Sequence, residues 1–230
     1  MIRRHDFNSE WCGQEVGIVA EDAFFDLAAS ERDEQLAPWA WVEARSGASP
    51  QEAARRAAAG FFQVDVQVRF RIGLARLQSS PSVDRLDVVS AEEAELHVAP
   101  DELADFAHER FLAVPGIDAA ALNRRYARWG ADLIASDPAL ALEVRLGDVP
   151  QGWFLSRRTS AGLELTLAML RRGAEITGHH LYHKALLAYG ARGERVGGAA
   201  FSVTNTAVHN VYASLGARFL EPEACWLWHA

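Results

Sequence analysis

Residues 163–187, LELTLAMLRRGAEITGHHLYHKALL, run from a strand through a turn into a helix that begins near Gly178. A second strand, VGGAAFSV, follows, and SVTNTAVHNVYASLGARF (202–219) then supplies a strand end, an Asn, a helix and a Gly stop. ACWLWH reads as a last strand. Strand, turn, helix, strand, helix, strand from Leu163 to His229 calls for a mixed α/β sheet with helices on both faces.

Upstream, LALEVRLG and GWFLSRRT read as two strands that meander into the first. Before them the pattern predicts helices over Pro100 to Leu112 and Asp118 to Ser136. RLQSSPSVDR carries the Ser and Pro punctuation of a linker, which places a boundary near residue 80. Ahead of it, SPQEAARRAAAGF has a Ser49–Glu52 capping box, Pro50 at the first helical position and Gly60 as the stop. FFQVDVQVRFRIGL then alternates Phe62, Val64, Val66, Val68, Phe70 and Ile72 against polar residues, and APWAWVEARS supplies a partner strand. Residues 1–80 thus read as a small α/β unit, and residues 81–230 as the main domain.

The chain has 230 residues, half of them apolar, and a formal charge of −8. That length supports one large or two small cores. The acidic balance argues against nucleic acid or an anionic membrane as a general partner, so any anionic ligand must meet a local basic patch. Lys184 is the only lysine, which leaves that role to arginine. Cys12 and Cys225 form neither a disulfide framework nor a four-ligand metal site. MIRRHDFNSEWCG lacks the apolar run of a signal peptide and no stretch approaches a membrane span, so a cytoplasmic protein is expected.

Val208, Val211, Tyr212 and Leu215 recur at helical spacing, which puts a phenol on an apolar stripe. Such a hydroxyl either finds a carbonyl in the core or waits as an acid for a leaving group. Asn205 is a good N-cap for the same helix.

The arrangement from Leu163 to His229 resembles the acetyl-CoA-dependent N-acetyltransferase (GNAT) superfamily. LAPWAWVEARSGAS, FAHERF, RRYARW, ALLAYGARG, NTAVHNVY and CWLWH, in that order, resemble the TDP-fucosamine acetyltransferases within it. The resemblance spans nearly the whole chain. It implies acetyl transfer from acetyl-CoA to the amine of a small acceptor, a nucleotide-linked 4-amino deoxysugar, by direct attack. It also implies Tyr212 as the acid that protonates the leaving thiolate. A backbone amide from Leu167, Ala168 or Met169 would hold the carbonyl oxygen, and Asn205 would bond the pantetheine arm. Gly178 belongs to the phosphate turn, with Arg171, Arg172, His179 and His180 beside it. In GAEITG, Gly173 stands where the superfamily has Gln or Arg, and Ile176 where it has its first Gly, so Ile176 is expected to crowd the phosphates.

His179 and His183 lie four apart, but no third ligand is evident and no metal is expected. In LNRRYARW, Arg124, Arg125, Tyr126 and Arg128 are candidate acceptor contacts, joined by Arg110 of HERF, because arginines beside aromatic rings suit a diphosphate and a base. Usually such a run is a solvated face. Glu109, His108 and a water chain are all open as the base. An arginine-lined pocket would favour a nucleotide sugar and an acidic one a cationic amine. Alternatives are an acyltransferase on another amine and a non-catalytic binder of a CoA-like or nucleotide ligand. The expected partner is a small molecule, with a homodimer compatible with the sequence.

Overall fold

The computed structural model describes residues 1–160 and 162–230. In chain order these form β1 (Ile2–Arg4), α1 (Asp6–Cys12), β2 (Val16–Val19), α2 (Ala29–Leu36), β3 (Trp41–Gly47), α3 (Pro50–Ala58) and β4 (Phe62–Gly73). There follow α4 (Pro81–Asp84), β5 (Leu86–Ser90), α5 (Ala119–Ser136), β6 (Ala141–Leu146), β7 (Val149–Thr159) and β8 (Gly162–Leu170). The chain ends with α6 (Gly178–Ala191), β9 (Val196–Ser202), α7 (Thr206–Ser214) and β10 (Arg218–His229).

All ten strands join one mixed sheet in the order β1-β2-β3-β10-β4-β9-β8-β7-β6-β5. The sheet crosses residue 80: β4 lies antiparallel between β9 and β10, its Phe70 beside Ala199 on one side and Phe219 on the other. One face packs on α5, where Phe111, Leu122, Tyr126 and Leu133 meet Trp41, Trp153, Leu155 and Met169. On the opposite face Leu181, Leu186, Tyr189 and Tyr212 of α6 and α7 meet Phe70, Ile72, Phe154 and Leu165. The mixed sheet with helices on both faces is the architecture the sequence calls for. A third cluster, built around Phe24, Phe25, Phe61 and Trp226, lies at the β3 and β10 end. There the Arg56 guanidinium is fully buried, paired with Asp22 and Glu52 and lying over the Phe25 ring.

Two bulges set the geometry that matters for function. In β8 the register against β7 slips between Leu167 and Glu164, so Leu165 faces α6 while Leu167 and Met169 face α5. In β4 a slip opposite Cys225 and Trp226 carries Asp65, Gln67, Arg69 and Arg71 onto the α5 face, while Phe70 and Ile72 take the other. The helix from Asp118 forms as expected, with Asp118 Oδ1 accepting from the Ala121 N–H at 2.7 Å.

The expected helix over Pro100 to Leu112 does not form. That segment is irregular, with short 3-10 turns at Pro100–Glu102 and Arg110–Ala113. Its backbone is engaged elsewhere: the Ala104 N–H donates to the Leu170 carbonyl at 3.1 Å, and the Arg172 N–H to the Glu102 carbonyl at 2.6 Å.

Candidate active site

Strands β8 and β9 run parallel and, among the described residues, pair only at Leu163 with Gly197 and Glu164 with Gly198. Beyond the β8 bulge they part. The Arg171 N–H donates to Gln151 toward β7, so at period two the Ala168 backbone groups point to the opposite, open edge. Of the expected amides, Ala168 is therefore the one that faces the opening, and the Met169 side chain is buried beneath α5. The opening leads into a cavity of about 480 Å³ lined by Thr166, Leu167 and Ala168 of β8 and by Ala200, Phe201 and Ser202 of β9.

The other wall of that cavity is acidic. It presents Asp65, Asp105 and Glu109, with Arg110 and His108 as the basic groups, between Phe106, Tyr126 and Trp129. The Tyr126 hydroxyl donates to Glu109 Oε2, and its ring stacks on Phe106 at 3.9 Å. Glu109 Oε1 is buried without a hydrogen bond, its nearest cation being Arg110 Nη1 at 3.6 Å. Only 10% of that side chain is exposed. A buried oxygen without a hydrogen bond is costly, and Glu109 lines the cavity.

Behind this wall lies a buried polar chain. Arg125 Nε donates to Asn8 Oδ1 at 3.2 Å, Asn8 Nδ2 to Glu43 Oε1 at 2.8 Å, and Arg110 Nη2 to Glu43 Oε2 at 3.2 Å. Burial alone would lower the Arg110 pKa, but Glu43 and then Glu109 outweigh it and hold the guanidinium charged. Arg125 is lowered to about 10, chiefly by burial, and lies within 6 Å of the rings of Phe7, Trp11, Phe111, Tyr126 and Trp129.

The arginines of α5 thus do not converge on the cavity. Arg125 is enclosed in a box of the protein's own aromatic rings. Arg128 turns outward to Glu10, and Arg124 lines a separate pocket of about 200 Å³ beside Trp11 and Val114. Arg110 and Tyr126 do reach the cavity. The sequence shows which residues are cationic and aromatic but not that α5 turns its arginines away.

At the turn before α6, Ile176 is 6% exposed and packs into the core under α6, so it does not crowd the turn. A Cβ at Gly178 would meet nothing within 4 Å, and neither would one at Gly173, whose φ is +76°. Among the described residues the N–H groups of Ile176, Gly178 and His179 have no protein partner, while the Glu175 N–H donates to Gln151 Oε1 at 2.7 Å. An open cradle of free amides at a helix N-terminus fits the diphosphate of a CoA thioester. Arg171 and Arg172 are half committed: they pair with Glu102 at 3.0 Å and Asp105 at 2.8 Å, tying the 100–105 segment to the end of β8.

Tyr212 is buried, its ring 3.9 Å from Phe70 and 5.3 Å from Tyr182. Among the described residues its hydroxyl has no hydrogen-bond partner, and burial pushes its pKa well above that of a free phenol. Asn205 caps α7, accepting from the Val208 N–H at 3.1 Å, and also lines the cavity.

His180 bonds the Thr177 hydroxyl at 2.9 Å, and His183 Nε2 meets the Gln78 carbonyl at 2.8 Å. His179, at the N-terminus of α6, has a pKa lowered by burial and then by His183 and His180. Among the described residues no group of three or more His, Cys, Asp or Glu is placed to hold a metal, and no helix is long and apolar enough to cross a membrane.

No protein-family profile and no curated protein sequence matches the chain. Solved structures do. A GCN5-related N-acetyltransferase from Sphaerobacter thermophilus superposes over 99% of this chain and 75% of its own, with a TM-score of 0.62 and 13% identity. A tandem GNAT protein from the clavulanic acid biosynthesis pathway gives 0.56 over 93% of this chain and 75% of its own, also at 13% identity. A GCN5-related N-acetyltransferase from Kribbella flavida gives 0.55 over 92% and 80%, at 14% identity. The mixed sheet with helices on both faces therefore has the fold of the GCN5-related N-acetyltransferases.

Proposed function

We propose that the protein is an acyl-CoA-dependent N-acetyltransferase whose acceptor is a cationic primary amine. The observation that carries this reading is the buried Glu109 Oε1, which no hydrogen bond satisfies among the described residues, in a cavity that also presents Asp65 and Asp105, against the open edge of β8. The free amides at Ile176, Gly178 and His179 would hold the donor's diphosphate, and the open edge at Ala168 its pantetheine arm. Acetyl-CoA supplies an acyl group activated as a thioester. Glu109 binds the ammonium and takes its proton, leaving a neutral amine as the nucleophile. The Ala168 N–H stabilises charge that develops on the carbonyl oxygen. Tyr212, neutral and with no hydrogen-bond partner for its hydroxyl among the described residues, gives its proton to the departing thiolate. An amino deoxysugar is one member of this acceptor class, although the α5 arginines give it no support.

The test is acetyl transfer from acetyl-CoA to a panel of primary amines, read as product by mass spectrometry. Glu109→Gln is expected to lower kcat/KM for the amine by about 10²–10⁴-fold with acetyl-CoA binding retained. Binding of acetyl-CoA without transfer to any amine overturns the reading.

A further inference from the structure

Along its α5 face, strand β4 changes charge. Asp65 lies at the cavity, where Ser202 Oγ donates to it at 2.6 Å; Gln67 follows, then Arg69 and Arg71. Both arginines line a second groove of about 530 Å³. Its floor is small: Ala200 lies opposite Arg69 on β9 and Gly198 opposite Arg71. Ala200 lines the cavity and the groove alike, so the two adjoin, the cavity presenting acidic groups and the groove basic ones.

The basic end is uncompensated. Arg71 lies directly opposite Arg218 on β10, a like-charge pair that costs stability. Among the described residues the side chains of Arg69, Arg71 and Arg218 have no ion pair or hydrogen bond. Among the described residues Glu164 is the one carboxylate lining the groove, and Arg157 holds it at 2.6 Å. In a chain of net charge −8, three free guanidiniums on one sheet face form the local basic patch that an anionic ligand needs.

We propose that this groove is an anion subsite of the acceptor. The acceptor is then an elongated primary amine, its ammonium at the Glu109 end and a phosphate or carboxylate at Arg69 and Arg71. Guanidinium binds either anion through paired hydrogen bonds. Asp65 and Arg69 are four positions apart on β4, which sets their Cα atoms about 13 Å apart at ~3.3 Å per residue. The inference rests on the amine reading of the cavity, but its test needs no turnover.

Calorimetry with 8-aminooctyl phosphate, 8-aminooctanoate and 8-aminooctanol, on the wild type and on Arg69→Gln/Arg71→Gln, decides it. At least one anion is expected to bind tenfold or more tighter than the alcohol, an advantage that shrinks below twofold in the double variant while the alcohol binds both proteins equally. A gain for the phosphate alone identifies a phosphate subsite; a gain for both identifies a general anion subsite. Equal binding of all three compounds, or an anion advantage that survives the double substitution, overturns the proposal. Absence of acetyl transfer alongside the expected binding pattern overturns the transferase reading alone. Both arginines are exposed, and an unchanged unfolding midpoint confirms that the variant is folded.

Discussion

Leu103 and Arg171 face one another across an antiparallel bridge at the end of β8. The bridge occupies the last backbone position on the edge that β9 leaves open, and Arg171 and Arg172 reinforce it by pairing with Glu102 and Asp105. The same segment continues into Phe106, Glu109 and Arg110 on the cavity wall. Local order at this bridge therefore positions the acidic wall.

Replacing Glu102 with Gln and Asp105 with Asn removes two partly exposed ion pairs, together worth about 0–2 kcal/mol at most. Global stability is expected to change little, whereas amide hydrogen exchange at Ala104 and Arg172 accelerates selectively. Unchanged protection at both amides would show that the ion pairs do not hold the bridge.

Tyr189 and Tyr212 are both buried beneath the same face, yet only one satisfies its hydroxyl. Tyr189 donates within reach of the Leu140 carbonyl at 2.7 Å and the Phe154 carbonyl at 2.9 Å. Tyr189→Phe is thus expected to cost about 1–3 kcal/mol in the unfolding midpoint and leave turnover intact. Tyr212→Phe is expected to leave the midpoint nearly unchanged and to lower kcat by about 10²–10⁴-fold with KM spared. Full turnover by the Tyr212 variant at saturating substrates removes it from the mechanism.

Ile176→Gly empties a core position without opening the turn, because the side chain points away from it. A loss of about 2–5 kcal/mol is expected from the cavity left under α6, with acetyl-CoA affinity no better than wild type. Tighter binding by the variant would restore the crowding expected from the sequence.

Arg125→Ala breaks the chain to Asn8 and Glu43 inside its aromatic box, at an expected cost of about 3–5 kcal/mol. Arg128→Ala, losing an exposed pair with Glu10 and a contact with the Phe7 ring, is expected to cost about 0–2 kcal/mol and leave acceptor KM alone. A raised acceptor KM in a stable Arg128 variant would return that residue to the acceptor site.

His5 caps α1 by accepting from the Asn8 N–H at 3.4 Å, and burial lowers its pKa below the usual 6.5. The folded state therefore favours neutral His5. This contribution is complete above pH 6.5, where the unfolded chain also holds the ring neutral, and is lost as pH falls through the lower folded value. An NMR titration that places His5 at or above 6.5 contradicts it. With the expected value, His5→Gln flattens the fall in midpoint below pH 6.5.

Local pattern alone determined much of this molecule. Ser49, Pro50 and Gly60 delimit α3, Asp118 starts α5, Asn205 caps α7, and the order of strands and helices after Leu163 specifies a mixed sheet, because caps and periodicity act within a few residues. The site depended on contacts that no local window contains. Alternation in LELTLAML reads as one face, but a bulge turns Leu165 and Leu167 to opposite sides and parts β8 from β9. Pro100 to Leu112 reads as helix, yet its backbone hydrogen bonds go to Leu170 and Arg172. LNRRYARW reads as a basic surface for an anion, while tertiary packing encloses Arg125 among aromatic rings and turns Arg128 to Glu10. Two further arginines without an ion pair, Arg69 and Arg71, lie on β4, whose place between β9 and β10 is set by pairing across more than a hundred residues of chain. Periodicity records which side chains share a face of one element. Which faces meet, and so which charges are left without a partner, is decided only when the whole sheet closes.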